Sequence, residues 1–251
     1  MNGPASTVND VLAIRQLTPR GVLRAALNLS NAVLVSRQGE TGDLSGVAPD
    51  LVRWISNRLS VPCICVPFAS PLDLISAVDD DVWDICLMAA ASERTASIVF
   101  SRPYAEIDAT YLVRDDSPLK AVADIDRPRV RVGAVEGSAY ALWLSRHLAH
   151  GEFVEFKSQD YAAQAFHARE IDALAGLRAN LDELASRTLG TRVVDGRFMA
   201  VAQSIGTHRS NVEGSALLWA VLEDAILSGF VASAFSQHGI AGVTVTSSST
   251  R

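Results

Sequence analysis

Apolar residues fall at 47, 51, 55 and 59 of GVAPDLVRWISNRL, with Val52 beside them. A recurrence every four residues lines up one stripe of a helix, and Pro49 and Asp50 suit its first turn. On either side lie VLRAALN (22–28) and CICVPF (63–68), apolar runs of strand length. PLDLISAVDDD then predicts a second helix and VWDICLMA (82–89) a third strand. Residues 22–89 therefore read β-α-β-α-β with short links, the pattern of a parallel sheet covered on both faces. One connection is longer: NLSNAVLVSRQGETGDLSG, after the first strand, predicts an extended loop with turns at Gly39, Gly42 and Gly46.

The pattern starts again after the extended YLVRDDSP at 111–118. VRVGAV (130–135), SAYALWLSRHLA, FVEF (153–156), the segment around YAAQAFHARE, IDALAG (171–176) and ANLDELASRTL again alternate strand and helix. TRVVDGRFMAVAQSIGTH (191–208) predicts a return strand, and SALLWAVLEDAILSG and FVASAFSQHG predict helices that stop at Gly229 and Gly239. Two similar units joined by two extended crossovers imply an α/β protein of two lobes with a cleft between them. The expected division is lobe 1 at 20–112 and 205–251, lobe 2 at 113–204, and a polar leader at 1–19. The last twelve residues are expected to fray.

Composition narrows the partner. The chain has 251 residues, 49% apolar and 6% aromatic, enough for a sizeable core, and a formal net charge of −6 without any basic run. That balance argues against nucleic acid or an anionic membrane, which need clustered Lys and Arg. It does not argue against a small anion, because a few arginines turned into a shielded cleft can oppose the overall charge. The three cysteines are expected as buried thiols, with Cys63 and Cys65 on one side of one strand and Cys86 on another. There is no G-x-S-x-G, H-E-x-x-H, P-loop or G-x-G-x-x-G, and His147 and His150 lack a third ligand nearby. No cofactor, metal or catalytic residue is expected on that basis.

One stretch poses the functional question: ASERTASIVFSRPY (91–104) sets Arg94 just past the third strand. A guanidinium there either pairs with an acid such as Glu93 or meets an anionic guest.

The ordered set GVLRAALN, GVAPDLVRWISNRL, WDICLM…SERTASIVFSRPY, VRVGAVEGSAY, EIDALAG and LEDAILSGF…HGI resembles the polar amino-acid type of bacterial solute-binding proteins, over about residues 20–242. The resemblance implies a type 2 periplasmic-binding-protein fold, two α/β lobes joined by two extended hinge strands, closing on a small ligand as a monomer. It also implies an ABC transporter permease as partner and a periplasmic location. The first twenty residues show no basic n-region with an apolar core, so a cytoplasmic location is the alternative.

By position in that family, Arg94 grips the ligand carboxylate, for which a planar fork of donors is suited. Ser138 stands where the lobe 2 helix begins and can add its hydroxyl and free N–H groups, or serve only as an N-cap. Asn28 and Asn31 follow the first strand, where the family places ligand walls, and Tyr140 is a further wall candidate. Trp83 and Tyr104 are expected to pack in the core.

Two departures from the family bear on the ligand. The position after IDALAG that holds an ammonium-pairing acid reads Leu177 and Arg178 here, and the hydroxyl-rich approach to the arginine reads Met88, Ala89, Ala90 and Ala91. An ordinary zwitterionic amino acid is therefore not the expected ligand. If Arg178 faces the cleft, it and Arg94 suit a dicarboxylate; otherwise it is a solvated residue or a partner of Asp182 at i+4. The rival reading is an enzyme on the same fold, of the cyclohexadienyl dehydratase type, for which Glu136 is the candidate acid; as a loop acid it needs no such role.

Overall fold

The computed structural model describes residues 8–37, 39, 42–240 and 242–246. In chain order the elements are α1 (Val8–Leu17), β1 (Leu23–Asn28), β2 (Ser36–Arg37), β3 (Leu44–Ser45), α2 (Val47–Leu59), β4 (Cys63–Phe68), α3 (Pro71–Ser76) and β5 (Ile85–Ala89). A 3-10 turn at Ser92–Arg94 leads to β6 (Ile98–Phe100), then β7 (Ala105–Arg114) and, after a second such turn at Val122–Asp124, β8 (Arg131–Val135). The chain continues through α4 (Ala139–His147), β9 (Glu152–Phe156), α5 (Gln159–His167), β10 (Ala173–Leu177), α6 (Arg178–Arg187), β11 (Thr191–Val193) and β12 (Met199–His208). It closes with α7 (Val212–Leu227), α8 (Phe230–Gln237) and β13 (Val243–Val245).

Local chemistry accounts for the starts and stops. α3 opens on Ser70, whose hydroxyl accepts from the Asp73 N–H while Asp73 reaches back to the Ser70 N–H, with Pro71 in the first turn. Ser138 and Ser158 cap α4 and α5 more simply, each hydroxyl accepting from the N–H three residues on. α2 begins at Val47, two residues ahead of the Pro49 start expected from sequence, because Gly46 supplies the unusual backbone that turns the chain into the helix.

The strands form one eleven-stranded sheet in the order β4-β1-β5-β12-β7-β10-β8-β9, with β11 and β13 on β7 and β6 on β12. At one end β4-β1-β5 run parallel, and at the other β9-β8-β10 do, each set with its first strand in the middle. This repeats the winding predicted twice over from the alternation of elements. Between them β7 and β12 cross in opposite directions. β12 pairs with β5 through Gln203–Thr207 and with β7 through Met199–Gln203, whereas β7 pairs with β10 through Ala109–Val113. β7 thus joins β12 along its first half to β10 along its second, linking the two ends of the sheet.

Leu23, Ala25 and Leu27 of β1 are buried against Leu51 and Ile55 of α2, and Phe166, Leu174 and Leu181 form a separate core under lobe 2. Trp83 and Tyr104 are buried, Trp83 beside Leu74 and Met88, as expected of packing residues. Cys86 is buried, and Cys63 and Cys65 are half-buried, because β4 is a sheet edge. At the base of β1, Arg24 and Asp84 form a buried ion pair at 2.6 Å, and Asp84 also accepts from the Arg24 backbone N–H at 2.8 Å.

Three segments differ from the sequence expectation. The 1–19 leader contains α1, whose Ala13 and Leu17 are buried against α7; 1–7 lie outside the described residues. Burial of one such leucine contributes about 2 kcal/mol, which a polar-looking leader conceals. Of the twelve terminal residues expected to fray, Val243–Val245 pair with Ala105–Ile107, while 241 and 247–251 lie outside the described residues. The long loop after β1 carries the small β2-β3 ladder, with residues 38, 40 and 41 outside those described.

Candidate functional site

The carboxyl ends of β1, β5 and β10 and the turn after β8 converge where the lobes meet, the place where open α/β sheets of this winding hold ligands. A narrow pocket, partly open to solvent, lies there. Asn28 comes from the end of β1, Ala89 from the end of β5, Leu177 from the end of β10, and Ser138 and Tyr140 from the start of α4. Asn31 reaches in from the loop after β1, and Arg94 from the 3-10 turn after β5.

Arg94 is only 4% exposed. Its Nη2 donates to the Gly137 carbonyl of lobe 2 at 2.7 Å, its Nη1 donates to the Ala89 carbonyl, and its buried Nε makes no hydrogen bond. Among the described residues, no carboxylate pairs with it. Glu93, the neighbour expected as an alternative partner, instead pairs with Arg146 at 2.7 Å. Burial pulls the Arg94 guanidinium down to about 10, leaving it a cation at neutral pH. A buried charge without a counter-ion is costly, and this one stands at a cleft.

Two helices aim their N-termini at the same space. Ser138 is buried, and its hydroxyl accepts from the Ala141 N–H at 3.1 Å, while the N–H groups of Ala139 and Tyr140 have no intrahelical acceptor. Asn180 lies in the first turn of α6 and lines the pocket beside Leu177. Helix N-termini carry partial positive charge, so both add to the field of Arg94. Burial pushes the Tyr140 phenol up to about 12, so it stays a neutral wall.

The loop after β1 is held by its own amides. Asn28 Oδ1 accepts from the Ser30 N–H and hydroxyl at 3.1 and 2.8 Å, and Asn31 Nδ2 donates to Gln203 Oε1 at 3.3 Å. Asn31 Oδ1 is buried without a partner.

Two sequence-predicted residues fall elsewhere. Arg178 does not line the pocket: its guanidinium donates to the carbonyls of Val194 at 3.3 Å and Gly196 at 2.5 Å, which draws it toward the segment after β11. Glu136 also lies outside the lining; its backbone N–H bonds the Phe156 carbonyl at 2.9 Å, fixing it at the β8-β9 edge. Conversely Gln203, Asn180 and Ser30 line the pocket without having been singled out. Gln203 carried a signal, since an amide amid the apolar MAVAQSIGTH needs a partner when buried, and it is 1% exposed.

The lobes touch above the pocket. Gly137 has φ +66°, and a Cβ there would lie 2.5 Å from Leu72 Cγ across the cleft. The Glu93–Arg146 pair also links the turn of Arg94 to α4.

Sheet winding, crossing strands and cleft define a two-lobed, type 2 periplasmic-binding-protein fold. Residues 24–226 match the bacterial extracellular solute-binding proteins, family 3, and the chain belongs to that family. Among solved structures it is similar to a mutant of ArgBP from T. maritima, at 20% identity and TM-score 0.76, covering 90% of this chain and 98% of that one. It is also similar to the amino acid ABC transporter substrate-binding protein AbpA from Streptococcus pneumoniae bound to L-arginine, at 17% identity and TM-score 0.76, with 88% and 95% covered. A third is the ancestral amino acid-binding protein AncCDT-1, described as a precursor of cyclohexadienyl dehydratase, at 20% identity and TM-score 0.76, with 89% and 97% covered. A search of curated proteins finds no match.

Proposed function

We propose that the chain is a receptor that captures a small carboxylate between its lobes and delivers it to an ABC transporter permease, working on the outer side of the cytoplasmic membrane. The observation that carries this reading is Arg94, a buried cation at the cleft with no carboxylate partner among the described residues and one unpaired N–H. The helix N-termini of α4 and α6 point the same way. The lobe boundaries follow: 20–112 with 205–251, and 113–204, divided within the crossing strands β7 and β12.

The test is calorimetric titration with a panel of small carboxylates, on the protein and on Arg94→Ala. Saturable binding that Arg94→Ala abolishes supports the receptor. Binding that survives the substitution, or none across the panel, overturns it. A dehydratase reading draws on the likeness to AncCDT-1, but Glu136 lies outside the pocket and no carboxylate lines it among the described residues. Receptor function fits that lining better.

A further inference from the structure

The charge inventory of the cleft points to the class of carboxylate. Among the described residues that line the pocket, Arg94 is the one formal charge and none is acidic. Arg178, which would have offered a second cation, stands outside the lining, its guanidinium drawn to the carbonyls of Val194 and Gly196. The remaining polar wall is neutral, with the amides of Asn28, Asn31, Asn180 and Gln203 foremost.

A dianion would bring one charge more than the pocket can meet. A zwitterion would set its ammonium in a low-dielectric space beside a fixed guanidinium and two helix N-termini, with no carboxylate to receive it. A monoanion leaves neither charge unmet.

Among the described residues that line the pocket, two buried atoms lack partners, and they differ in kind. Arg94 Nε is a donor without an acceptor, and Asn31 Oδ1 is an acceptor without a donor. Asn31 lines the pocket, and because its Nδ2 donates to Gln203 its buried Oδ1 is left with acceptor capacity only. Pro71, Met88, Leu177 and Val201 supply apolar walls for a short carbon chain.

Resting on the carboxylate-receptor reading, we infer that the ligand is a monoanionic hydroxy acid, its carboxylate taken by Arg94 and its hydroxyl donated to Asn31. The site rejects both α-amino acids and dicarboxylates by charge.

The experiment compares isosteres by calorimetry: lactate with alanine, glycerate with serine, and each hydroxy acid with its deoxy form and with malate. The expected result is at least tenfold tighter binding of a hydroxy acid than of its amino, deoxy and dicarboxylate counterparts. Asn31→Asp, which places a carboxylate where the neutral acceptor stands, should swing the preference at least tenfold toward the amino isostere while the melt stays cooperative. Arg94-dependent binding in which the amino acid or the dicarboxylate equals the hydroxy acid overturns this inference and leaves the receptor reading standing. Absence of Arg94-dependent binding by every probe overturns both.

Discussion

Glu93 turns away from its chain neighbour Arg94 and pairs at 2.7 Å with Arg146 on the opposite lobe. The acid next in sequence to the buried arginine therefore serves the rim, and the arginine keeps its charge for the cleft. Both partners of the rim pair are more than a third exposed, so water and salt screen it. Glu93→Gln should weaken ligand binding by less than about fivefold at low salt. In titrations at high ionic strength the difference should vanish; a larger, salt-independent loss would mean that Glu93 acts through the pocket.

Two buried arginines should respond in opposite ways to removal. Arg24 is matched by Asp84 at 2.6 Å, so Arg24→Met strands a buried carboxylate and should cost about 3–5 kcal/mol in denaturant unfolding, with the ligand site intact. Arg94→Met strands no charge, since its acceptors are backbone carbonyls, and should change unfolding by less than about 1 kcal/mol while abolishing binding. A collapse of the melt on removing Arg94 would mark it as structural.

Closure should depend on the bare Cα of Gly137. Gly137→Ala adds a methyl 2.5 Å from Leu72 Cγ and does so at φ +66°. Affinity should fall about tenfold or more, as strain of roughly 1–3 kcal/mol accompanies the clash. Adding Leu72→Ala should restore part of the affinity, and scattering with saturating ligand should show the single variant held more open than the pair.

Acid should loosen lobe 2 at a defined carboxyl. Burial tends to raise Asp126, but N–H groups of Gly151, His150 and Ala149 outweigh it and hold the carboxyl down to about 2. Its folded value lies below the ordinary 3.8, so its contribution is whole above about 3.8 and is lost as pH falls toward 2. Asp126→Asn should lower the melting temperature at neutral pH and converge with the parent near pH 2.

Arg94 and the double β-α-β-α-β winding were legible because both are written in local pattern: strand-length apolar runs, four-residue helical recurrence, and a motif at a fixed place after β5. Direction was harder. Arg178 sits at the first position of α6, where sequence does not say which way a long side chain leans, and the carbonyls of Val194 and Gly196 decided it. Gln203 was hidden for a different reason. It comes from β12, a strand whose partners lie more than a hundred residues away in β5, so only the assembled sheet brings it beside Asn31.

The final strand gives the molecule a mechanical property of its own. Val243–Val245 zip onto Ala105–Ile107 of β7, and Thr246 adds bonds to the carbonyls of Tyr104 and Pro103. Ala105–Ile107 are thereby held by β12 along one edge and by the tail along the other, so bending that end of the β7 strap has to disturb two ladders at once.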